Sequence, residues 1–534
     1  MLSRMRQKIE DVPELMQLIQ SRLPLKEATR TTVLSKSWLA AWSTIPTLRF
    51  HVVEEQKHRT MTLRDMDHTL TRYLRDKIPI TRLELNIDIE NPESASHAEI
   101  LIGRVATETC LKELFLSLHG HSFTLPDELL LGEKLTKIKV VASHGTNISG
   151  TSLSVRMTTS LHPVIKCVSL RELYLHSVYV SEEALNHILS SCTLLVKIHL
   201  INLDHCFSMR FKTIKVKNLP HLYELNISLH GWQSTALEIS DVPNLHMFSY
   251  QLFNSGVPLP FNANVHSMSL SSVRDLELHG VVPDNECLDM IKSRFPFLES
   301  LTLQMTTWML GSFHFTCYSI KIFSLVSCRH KKLTDVHIYA PKLRYFSFTG
   351  YNLLPNLLFP ISTSLRKIEL SLRVNLPIDA SFFVKMREAL TIAPKCNICI
   401  TYHNFGIIQL DIDMADLRRR LLFPPATNVQ QLEFVTNWDD CLWERSPFFD
   451  AFFEICHPMH VIARPDTHFR RKNHFSRLML KEVLENKGTT AIWPHHLKHV
   501  QIRPSLHKKW KTLTNSQRRF LHGPAPVDFK LKWH

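Results

Sequence analysis

Three groups of cysteine and histidine residues have spacings that occur in metal sites. Cys396-x-x-Cys399 with His403 has the first half of a zinc pattern, but a second ligand pair at the right distance is missing. Cys399 also lies within an alternation of apolar residues, which is typical of a small buried cysteine. We therefore expect no metal or other cofactor. The histidines of the two remaining groups are interpreted as packing or surface residues. Those remaining groups are Cys456-His457 with His460, and His495-His496 with His499.

Motifs for catalysis are also missing. The chain has no G-x-S-x-G nucleophile elbow, no G-x-G-x-x-G and no phosphate-binding P-loop motif. Glycine accounts for only 13 of 534 residues, which argues against enzymes whose backbone must approach a phosphate closely. Nothing resembles a catalytic domain with an activated cysteine. The sequence predicts a protein that is not an enzyme.

Charge and hydropathy narrow the choice of compartment and partner. The net charge of +14 is spread along the chain, without the concentrated basic face that a nucleic-acid site requires. The N-terminus lacks a signal-peptide core, and no apolar stretch approaches the roughly 20 residues of a membrane span. The cysteines number 11, an odd count, which fits reduced thiols. We expect a protein of the nucleus or cytoplasm that binds neither membrane nor nucleic acid.

Residues 9–50 are predicted to form a small helical unit. Pro13 and Pro24 each occupy a position where a helix can begin. Leu34, Trp38 and Trp42 recur at a spacing of four residues, which predicts one apolar stripe on a second helical segment. About forty residues cannot bury so much apolar surface alone. The unit is therefore expected to pack against another domain or a partner.

The segment Val12 to Phe50 resembles the plant F-box. The resemblance rests on LPLKEATRTTVLSKSW, followed by Trp42 and by P-x-L-x-F at its end, although the start is one residue shorter than the usual L-P-x-E-L-L. It implies a module that docks on a Skp-type adaptor and, through it, on a cullin scaffold. The adaptor-binding residues that it implies are Pro13, Leu15, Ile19, Leu23, Pro24, Leu34 and Trp38. Some of them, Trp38 above all, could instead pack only the core of the module.

A repeat of 22 to 25 residues follows the helical unit. Leu170 and Leu195 are 25 residues apart, as are Val273 and Leu298, and this spacing falls in the range of leucine-rich repeats. Some copies add a capped helix, and others have the layout strand, proline, strand. Clear copies of L-x-x-L-x-L are Leu111-Leu114-Leu116, Leu170-Leu173-Leu175, Leu195-Ile198-Leu200, Leu298-Leu301-Leu303 and Leu365-Ile368-Leu370. The period predicts a solenoid over about residues 79–405.

In this repeat the leucines face inward, and the residues between them project from the exposed face of the sheet. That face carries both signs of charge together with aromatic side chains, which suits a protein or peptide better than a phosphate backbone. An ordinary solvated surface is the alternative interpretation. The candidate target-binding residues are Phe115, Tyr174, His199, Glu277 and Tyr345.

The remaining segments are expected to connect and to cap. Residues 51–78 should form a helical linker, with a helix from Leu63 to Arg75 that holds the F-box against the first repeat. Helices are predicted over Asp379 to Ala389 and Asp413 to Leu421. Within residues 406–534, the stretch from Trp493 to Ile502 resembles the entry strand of the plant FBD region. Val527 to Trp533 alternates like a final strand.

These features together predict an α/β protein: a small N-terminal helical F-box, a curved leucine-rich-repeat solenoid and a C-terminal cap. The function implied by the resemblance is that of a substrate-recognition subunit of a Skp–cullin–F-box ubiquitin ligase, which binds an unknown target protein. One alternative is a leucine-rich-repeat scaffold whose shortened F-box does not recruit a ligase. A nucleic-acid binder is the third class, and the acidic residues of the sheet face argue against it.

Overall fold

The computed structural model places two compact units, Met1–Val273 and Arg274–His534. The residues that it describes are 9, 12–23, 25–52, 62–89, 91–120, 122–143, 155–157, 167–203, 211–230, 235–253, 270–281, 285–305, 311–327, 333–351, 354–360, 364–374, 378–402, 412–436, 447–465, 479, 483, 493–504, 509–514 and 527–534. The two units are both mixtures of α-helix and β-sheet, as predicted, and each is built around a mainly parallel sheet.

The first unit begins with helices and continues as repeats. Its helices are α1 (Pro13–Arg22), α2 (Leu25–Thr31), α3 (Lys36–Ser43), α4 (Leu63–Arg75), α5 (Pro92–Glu108) and α6 (Glu182–Ser191). Its strands are β1 (Thr47–Val52), β2 (Arg82–Ile89), β3 (Glu113–Gly120), β4 (Phe123–Thr124), β5 (Lys137–Ser143), β6 (Val155–Met157), β7 (Glu172–His176), β8 (Val178–Val180), β9 (Lys197–Ile201), β10 (Thr213–Lys217), β11 (Glu224–His230), β12 (Ala236–Ser240) and β13 (Met247–Phe253).

The main sheet of this unit has the order β1-β2-β3-β5-β7-β9-β11-β13, and every neighbouring pair is parallel. The repeat leucines fall on the same rungs, so that Leu114 pairs with Ile138, which pairs with Leu173. Before each strand, one carbonyl accepts two N–H groups from the next repeat; Lys112, for example, accepts from Thr136 and Lys137. The inward leucines are buried, as the motif predicted.

Corners between the main sheet and the outer layer use a left-handed backbone. Ser177 and Asn202 have φ values of 56° and 55°, and each donates its N–H to the carbonyl of the following repeat, Ile201 and Ser228 respectively. Asn218 and Asp241 repeat this conformation after β10 and β12. Asparagine and aspartate tolerate the left-handed region better than most residues. The outer layer itself is made of the short parallel sheets β4-β6-β8 and β10-β12 and of helices α5 and α6.

The second unit continues the same pattern. Its helices are α7 (Asn285–Arg294), α8 (Ala380–Ala389), α9 (Met414–Arg420) and α10 (Phe448–Ile455). Its strands are β14 (Asp275–Val281), β15 (Ser300–Met305), β16 (Ser312–Thr316), β17 (Ile322–Val326), β18 (Asp335–Tyr339), β19 (Tyr345–Tyr351), β20 (Asn356–Leu358), β21 (Lys367–Val374), β22 (Cys396–Tyr402), β23 (Val429–Thr436), β24 (His460–Pro465), β25 (Leu497–Pro504), β26 (Lys511–Thr512) and β27 (Val527–Trp533).

Its parallel sheet has the order β14-β15-β17-β19-β21-β22-β23-β24, and an outer sheet has the order β16-β18-β20. Parallel pairing thus continues past residue 405, where the repeat fades in the sequence, as far as β24. The final strand β27 then pairs antiparallel with both β24 and β25. The predicted helices at α4, α8 and α9 and the predicted strand at β27 are all present.

Two predictions about the N-terminal unit need correction. The second helical segment is broken by a turn at residues 32–34, so Leu34 does not share a helical stripe with Trp38 and Trp42. Ser35 caps the new helix α3, because its hydroxyl accepts from the Trp38 N–H. The P-x-L-x-F segment is also not part of a helical unit: it forms β1, the first strand of the parallel sheet, and crosses the predicted boundary at residue 50.

Candidate functional site

The N-terminal helices form a small unit held by buried polar contacts. The Gln20 side chain is buried between all three helices, and its Nε2 donates to the Thr31 hydroxyl at 2.8 Å and to the Trp38 carbonyl at 3.0 Å. Gln17 Nε2 donates to the Thr44 carbonyl at 3.1 Å. Met16, Ala28 and Ala41 form the small apolar core. Because these side chains are few and mostly small, the unit buries little of its own apolar surface.

The larger apolar side chains of this unit point outward. Val33 and Leu34 are 85% and 65% exposed in the turn between α2 and α3, and Leu39 on α3 is 52% exposed. On α1, the residues Leu15 and Leu18 are also exposed. Five exposed aliphatic side chains on so small a unit favour a protein-binding role for it. We call these five residues the N-terminal apolar surface.

The predicted adaptor-binding residues fall into three groups. Pro13, Leu15 and Leu34 are exposed, whereas Ile19, Leu23 and Trp38 are half-buried. Pro24 lies outside the described residues. Sequence reasoning did not name Leu18, Val33 or Leu39 as contact residues. The sequence did contain a signal for Val33. It follows two threonines and precedes the capping residue Ser35, so no helical face is available there to bury an apolar side chain.

On the sheet of the first unit, one column of side chains alternates in charge from strand to strand. Arg82 Nη1 lies 3.1 Å from the Glu113 carboxylate, and Lys197 Nζ lies 2.8 Å from the carboxylate of Glu224. Lys137 and Glu172 form another pair between them. These opposite charges neutralise each other across neighbouring strands. The column therefore contributes to sheet pairing and offers little net charge to a partner.

The next column carries the predicted aromatic residues. The guanidinium carbon of Arg82 lies 4.4 Å from the ring centroid of Phe115. Lys139 Nζ lies 4.7 Å from the ring centroid of Tyr174. Tyr174 stacks on His199 with their ring centroids 5.2 Å apart. The order along the sheet is therefore Phe115, Lys139, Tyr174, His199. Three of the predicted target-binding residues thus form one half-exposed strip.

His199 is held at the end of this strip. Its Nε2 lies 3.0 Å from the Glu224 carboxylate, yet burial outweighs that carboxylate and lowers the pKa of His199 below the ordinary histidine value. The lowered pKa favours the neutral ring at pH 7, which stacks on Tyr174 with 30° between the ring planes. The strip presents two aromatic rings, one neutral imidazole and the Lys139 ammonium.

The two other predicted target-binding residues lie in the second unit, on separate parts of its sheet. Tyr345 donates its hydroxyl to the Glu369 carboxylate at 2.6 Å, and Lys367 Nζ and Asn397 Nδ2 bind the other carboxylate oxygen at 2.6 and 3.0 Å. Burial and this carboxylate raise the pKa of Tyr345 to about 12. Glu277 lies on β14, with β15 and β17 between it and β19, so the two residues do not form one site.

The cysteine and histidine groups are not brought together as ligands. Among the described residues, no group of three or more His, Cys, Asp or Glu side chains is placed to hold a metal ion. Cys396 and Cys399 are three residues apart on β22, so their side chains point to opposite faces of the sheet. Burial raises the pKa of the Cys396 thiol to about 12, which makes it a poor ligand and nucleophile. His403 lies outside the described residues.

The remaining histidines of interest pack against aromatic rings. His457 stacks on Trp533 with centroids 4.2 Å apart, and His460 lies 5.6 Å from the Trp510 ring. Burial lowers the pKa of His457 and of His460. His495 and His496 are exposed in a short helical turn before β25. His457 and His460 thus serve the packing of the C-terminal strands, whereas His495 and His496 are surface residues.

The fold and these surfaces define a class: a mixed α/β protein with parallel, in-register repeats and exposed apolar and aromatic surfaces. No family model matches the chain. Several individual plant proteins, however, are similar to it. A putative F-box/LRR-repeat protein of Arabidopsis thaliana is 26% identical over 56% of this chain and 56% of its own length. An FBD-associated F-box protein from the same plant is 28% identical over 48% of this chain and 57% of its own.

A putative F-box/FBD/LRR-repeat protein of the same plant is 29% identical over 40% of this chain and 47% of its own length. The matched region therefore spans about half the length of each of these relatives. The chain is similar to plant F-box/LRR-repeat proteins, including ones with an FBD region, and the resemblance predicted from the motifs is confirmed. No helix among the described residues is both long and apolar enough to cross a membrane.

Proposed function

We propose that this protein is the substrate-recognition subunit of a Skp–cullin–F-box ubiquitin ligase. In this proposal the N-terminal helices are an F-box that binds a Skp-type adaptor, and the adaptor binds a cullin. The parallel repeats form a leucine-rich-repeat solenoid that holds a target protein, and the antiparallel strands β25 to β27 cap it. The chain itself catalyses no step. It acts in the nucleus or cytoplasm by holding a target near the enzyme that transfers ubiquitin.

The observation that carries the proposal is the N-terminal apolar surface. Val33 and Leu34 project from a turn whose backbone is fixed by hydrogen bonds from the N–H groups of Thr32 and Leu34. Leu39 stands on the neighbouring helix, and its side chain is half exposed. Exposing several large aliphatic side chains is unfavourable unless a partner covers them. A helical module that presents such residues suits a groove on another protein.

The test is co-purification with a Skp-type adaptor from plant cells. The double variant Val33→Asp and Leu34→Asp places charges where the adaptor would bury aliphatic carbon, so we expect adaptor recovery to fall at least tenfold. Both side chains are exposed, so the melting temperature should stay near that of the unmodified protein. Ile322→Asp is the matched control, because Ile322 is an exposed aliphatic residue on a strand of the second unit. Unchanged adaptor recovery by the double variant would contradict the proposal.

The side chains on the outward face of the sheet support the proposal that the repeats bind a target protein. The strip Phe115–Lys139–Tyr174–His199 has the aromatic content typical of protein interfaces, where tyrosine and other large rings dominate the binding energy. The basic side chains of the neighbouring column are paired with the carboxylates of Glu113, Glu172 and Glu224, so that column offers no net positive charge to a phosphate backbone. The geometry therefore favours a protein target over nucleic acid.

A further inference from the structure

A cavity of about 520 Å³ lies between the N-terminal helices, strand β1 and helix α4. Cavities of this size are in the range that binds small molecules. We propose that it binds a small amphiphilic molecule with three features: an apolar body, a hydrogen-bond donor that reaches Gln20, and an anionic group that reaches Arg72. The proposal does not require adaptor binding, although Leu39 of the N-terminal apolar surface is among the lining residues.

The apolar body is implied by the walls. Its lining includes the aliphatic side chains of Leu23 and Leu39 and the aromatic side chains of Trp42 and Phe50. Aromatic and aliphatic walls with a few polar groups are the usual composition of a small-molecule pocket. An aromatic body would bury apolar surface against these side chains.

The hydrogen-bond donor is implied by Gln20. This residue lines the cavity with only 1% of its surface exposed, and its Oε1 has no hydrogen-bond partner in the described structure. The amide cannot be reversed without loss, because its Nε2 already donates to the carbonyl of Trp38, which can only accept. An unpaired buried acceptor costs about 1–3 kcal/mol. Oε1 itself is buried, so a ligand N–H or O–H that binds it and removes that cost must displace a neighbouring side chain.

The anionic group is implied by the charges that line the cavity. Arg49, His68 and Arg72 contribute basic side chains, while no Asp or Glu is among the described lining residues. Arg49 is paired with Glu84 at 3.1 Å, which leaves Arg72 as the principal cation. Arg72 donates from Nη2 to the Ser43 carbonyl at 3.0 Å, and that bond uses one of the five N–H groups of a guanidinium. The others can bind a carboxylate, sulfonate or phosphate.

The probe that tests this arrangement is diphenylamine-4-sulfonate, which has two aromatic rings, a bridging N–H and an anion. Its comparison compound is 4-phenoxybenzenesulfonate, in which an ether oxygen replaces the N–H. Titration calorimetry on the full chain should show that the N–H compound binds on the order of 3- to 10-fold more tightly. Equal affinity for the two compounds would refute the role of Gln20. No binding of either compound at about 1 mM would overturn the whole proposal.

Variants then locate the site. Arg72→Met should weaken binding of diphenylamine-4-sulfonate on the order of tenfold, because a charged hydrogen bond is lost. Arg75→Met is the matched control: Arg75 lies on the same helix with its side chain 72% exposed, and it does not line the cavity. Ala28→Leu should also reduce affinity, since Ala28 lines the cavity and the larger side chain would fill part of its space. Equal losses in the two arginine variants, or full binding by a folded Ala28→Leu protein, would place the probe elsewhere and overturn the proposal.

Discussion

At the scale of single residues, the outward face of the first unit's sheet divides into side chains that neutralise each other and side chains that remain available. Arg82 and Glu113 form a cross-strand pair, and Lys197 and Glu224 form another. Exposed pairs of this kind contribute little to stability, about 0–1 kcal/mol each. Tyr174 and Phe115 instead present rings that cations contact: Arg82 and Lys137 lie over Phe115, and Lys139 lies over Tyr174. Recognition should therefore depend more on the rings than on the ion pairs.

The double variant Tyr174→Ala and Phe115→Ala tests that conclusion. Aromatic anchors commonly contribute about 2 kcal/mol or more each to binding, so recovery of target proteins from plant cells should fall strongly. Adaptor recovery should be unchanged, because the N-terminal apolar surface is intact. Phe297→Ala with Tyr318→Ala serves as the control, since both of those rings are exposed in the second unit outside the strip. A large drop in melting temperature together with lost binding would mean that the rings serve stability instead.

The inward leucines are expected to behave in the opposite way. Leu276 has no exposed surface and pairs in register with Leu301. Leu276→Asp places a carboxylate among buried aliphatic side chains, which costs several kcal/mol, so the melting temperature should fall sharply. Thr302→Asp is the control, because Thr302 occupies the outward position on the adjacent strand. An unchanged melting temperature for Leu276→Asp would show that the register is wrong.

At the scale of elements, helix α4 joins the N-terminal helices to the sheet. Thr62 and Asp65 form a reciprocal capping box at its start, with the Thr62 N–H bound to the Asp65 carboxylate at 2.9 Å. Further along the helix, Arg72 donates to the Ser43 carbonyl, and the Tyr73 hydroxyl donates to the Ile45 carbonyl at 3.2 Å. Burial raises the pKa of Tyr73, which keeps this hydroxyl protonated as a donor. The two contacts to Ser43 and Ile45 hold α4 against the end of the N-terminal helical segment. This is the position that the sequence predicted for the linker helix.

Removing the Thr62 cap should destabilise helix α4. Thr62→Ala should lower the free energy of unfolding by about 1 kcal/mol, whereas Thr62→Ser keeps the hydroxyl and should be nearly neutral. Hydrogen bonds from Thr62 lower the pKa of Asp65 below the ordinary aspartate value. The stabilisation is therefore present above the unfolded pKa and is lost as the pH falls through the folded one. Denaturant unfolding at neutral and acidic pH would measure the loss of stability in Thr62→Ala and its dependence on pH. A free energy of unfolding equal to that of the unmodified protein would contradict the role of the cap.

The last strand closes an edge. β27 pairs antiparallel with β24 and β25, burying Val527, Phe529 and Leu531. Deleting residues 527–534 would leave unpaired N–H and C=O groups on both neighbouring strands, and open edges invite association between molecules. We expect oligomers and aggregates in light scattering. Deleting His534 alone is the control, and a monodisperse product from the longer deletion would show that β27 does not protect the edge.

At the scale of the whole molecule, the N-terminal helices run directly into the repeats. The carbonyl of Pro46 accepts from the N–H groups of Thr81 and Arg82, which is the same bond pattern that links each later repeat to the next. Strand β1 is therefore structurally part of the sheet, although its sequence belongs to the F-box-like segment. A deletion that removes residues 1–50 would cut into this strand and disturb the sheet.

A deletion of residues 1–44 separates the two parts more cleanly. It removes α1 to α3 and keeps β1 with its pairing to β2, so the sheet should remain folded by circular dichroism. We expect the shortened protein to lose the Skp-type adaptor and to retain its target proteins in co-purification. Adaptor recovery that survives this deletion would show that another surface makes the contact.

The linear pattern of the sequence determined the repeats, because inward leucines recur with a period that only a stack of parallel strands can bury together. It also located α4, α8 and α9, whose caps at Thr62, Asp379 and Asp413 are local signals. The role of β1 as first strand and the continuation of parallel pairing to β24 were decided by tertiary structure. Each of these depends on which distant segment packs beside it, as does the cavity at Gln20. Periodicity along one chain carries no information about such packing, because a buried and an exposed leucine have the same letter.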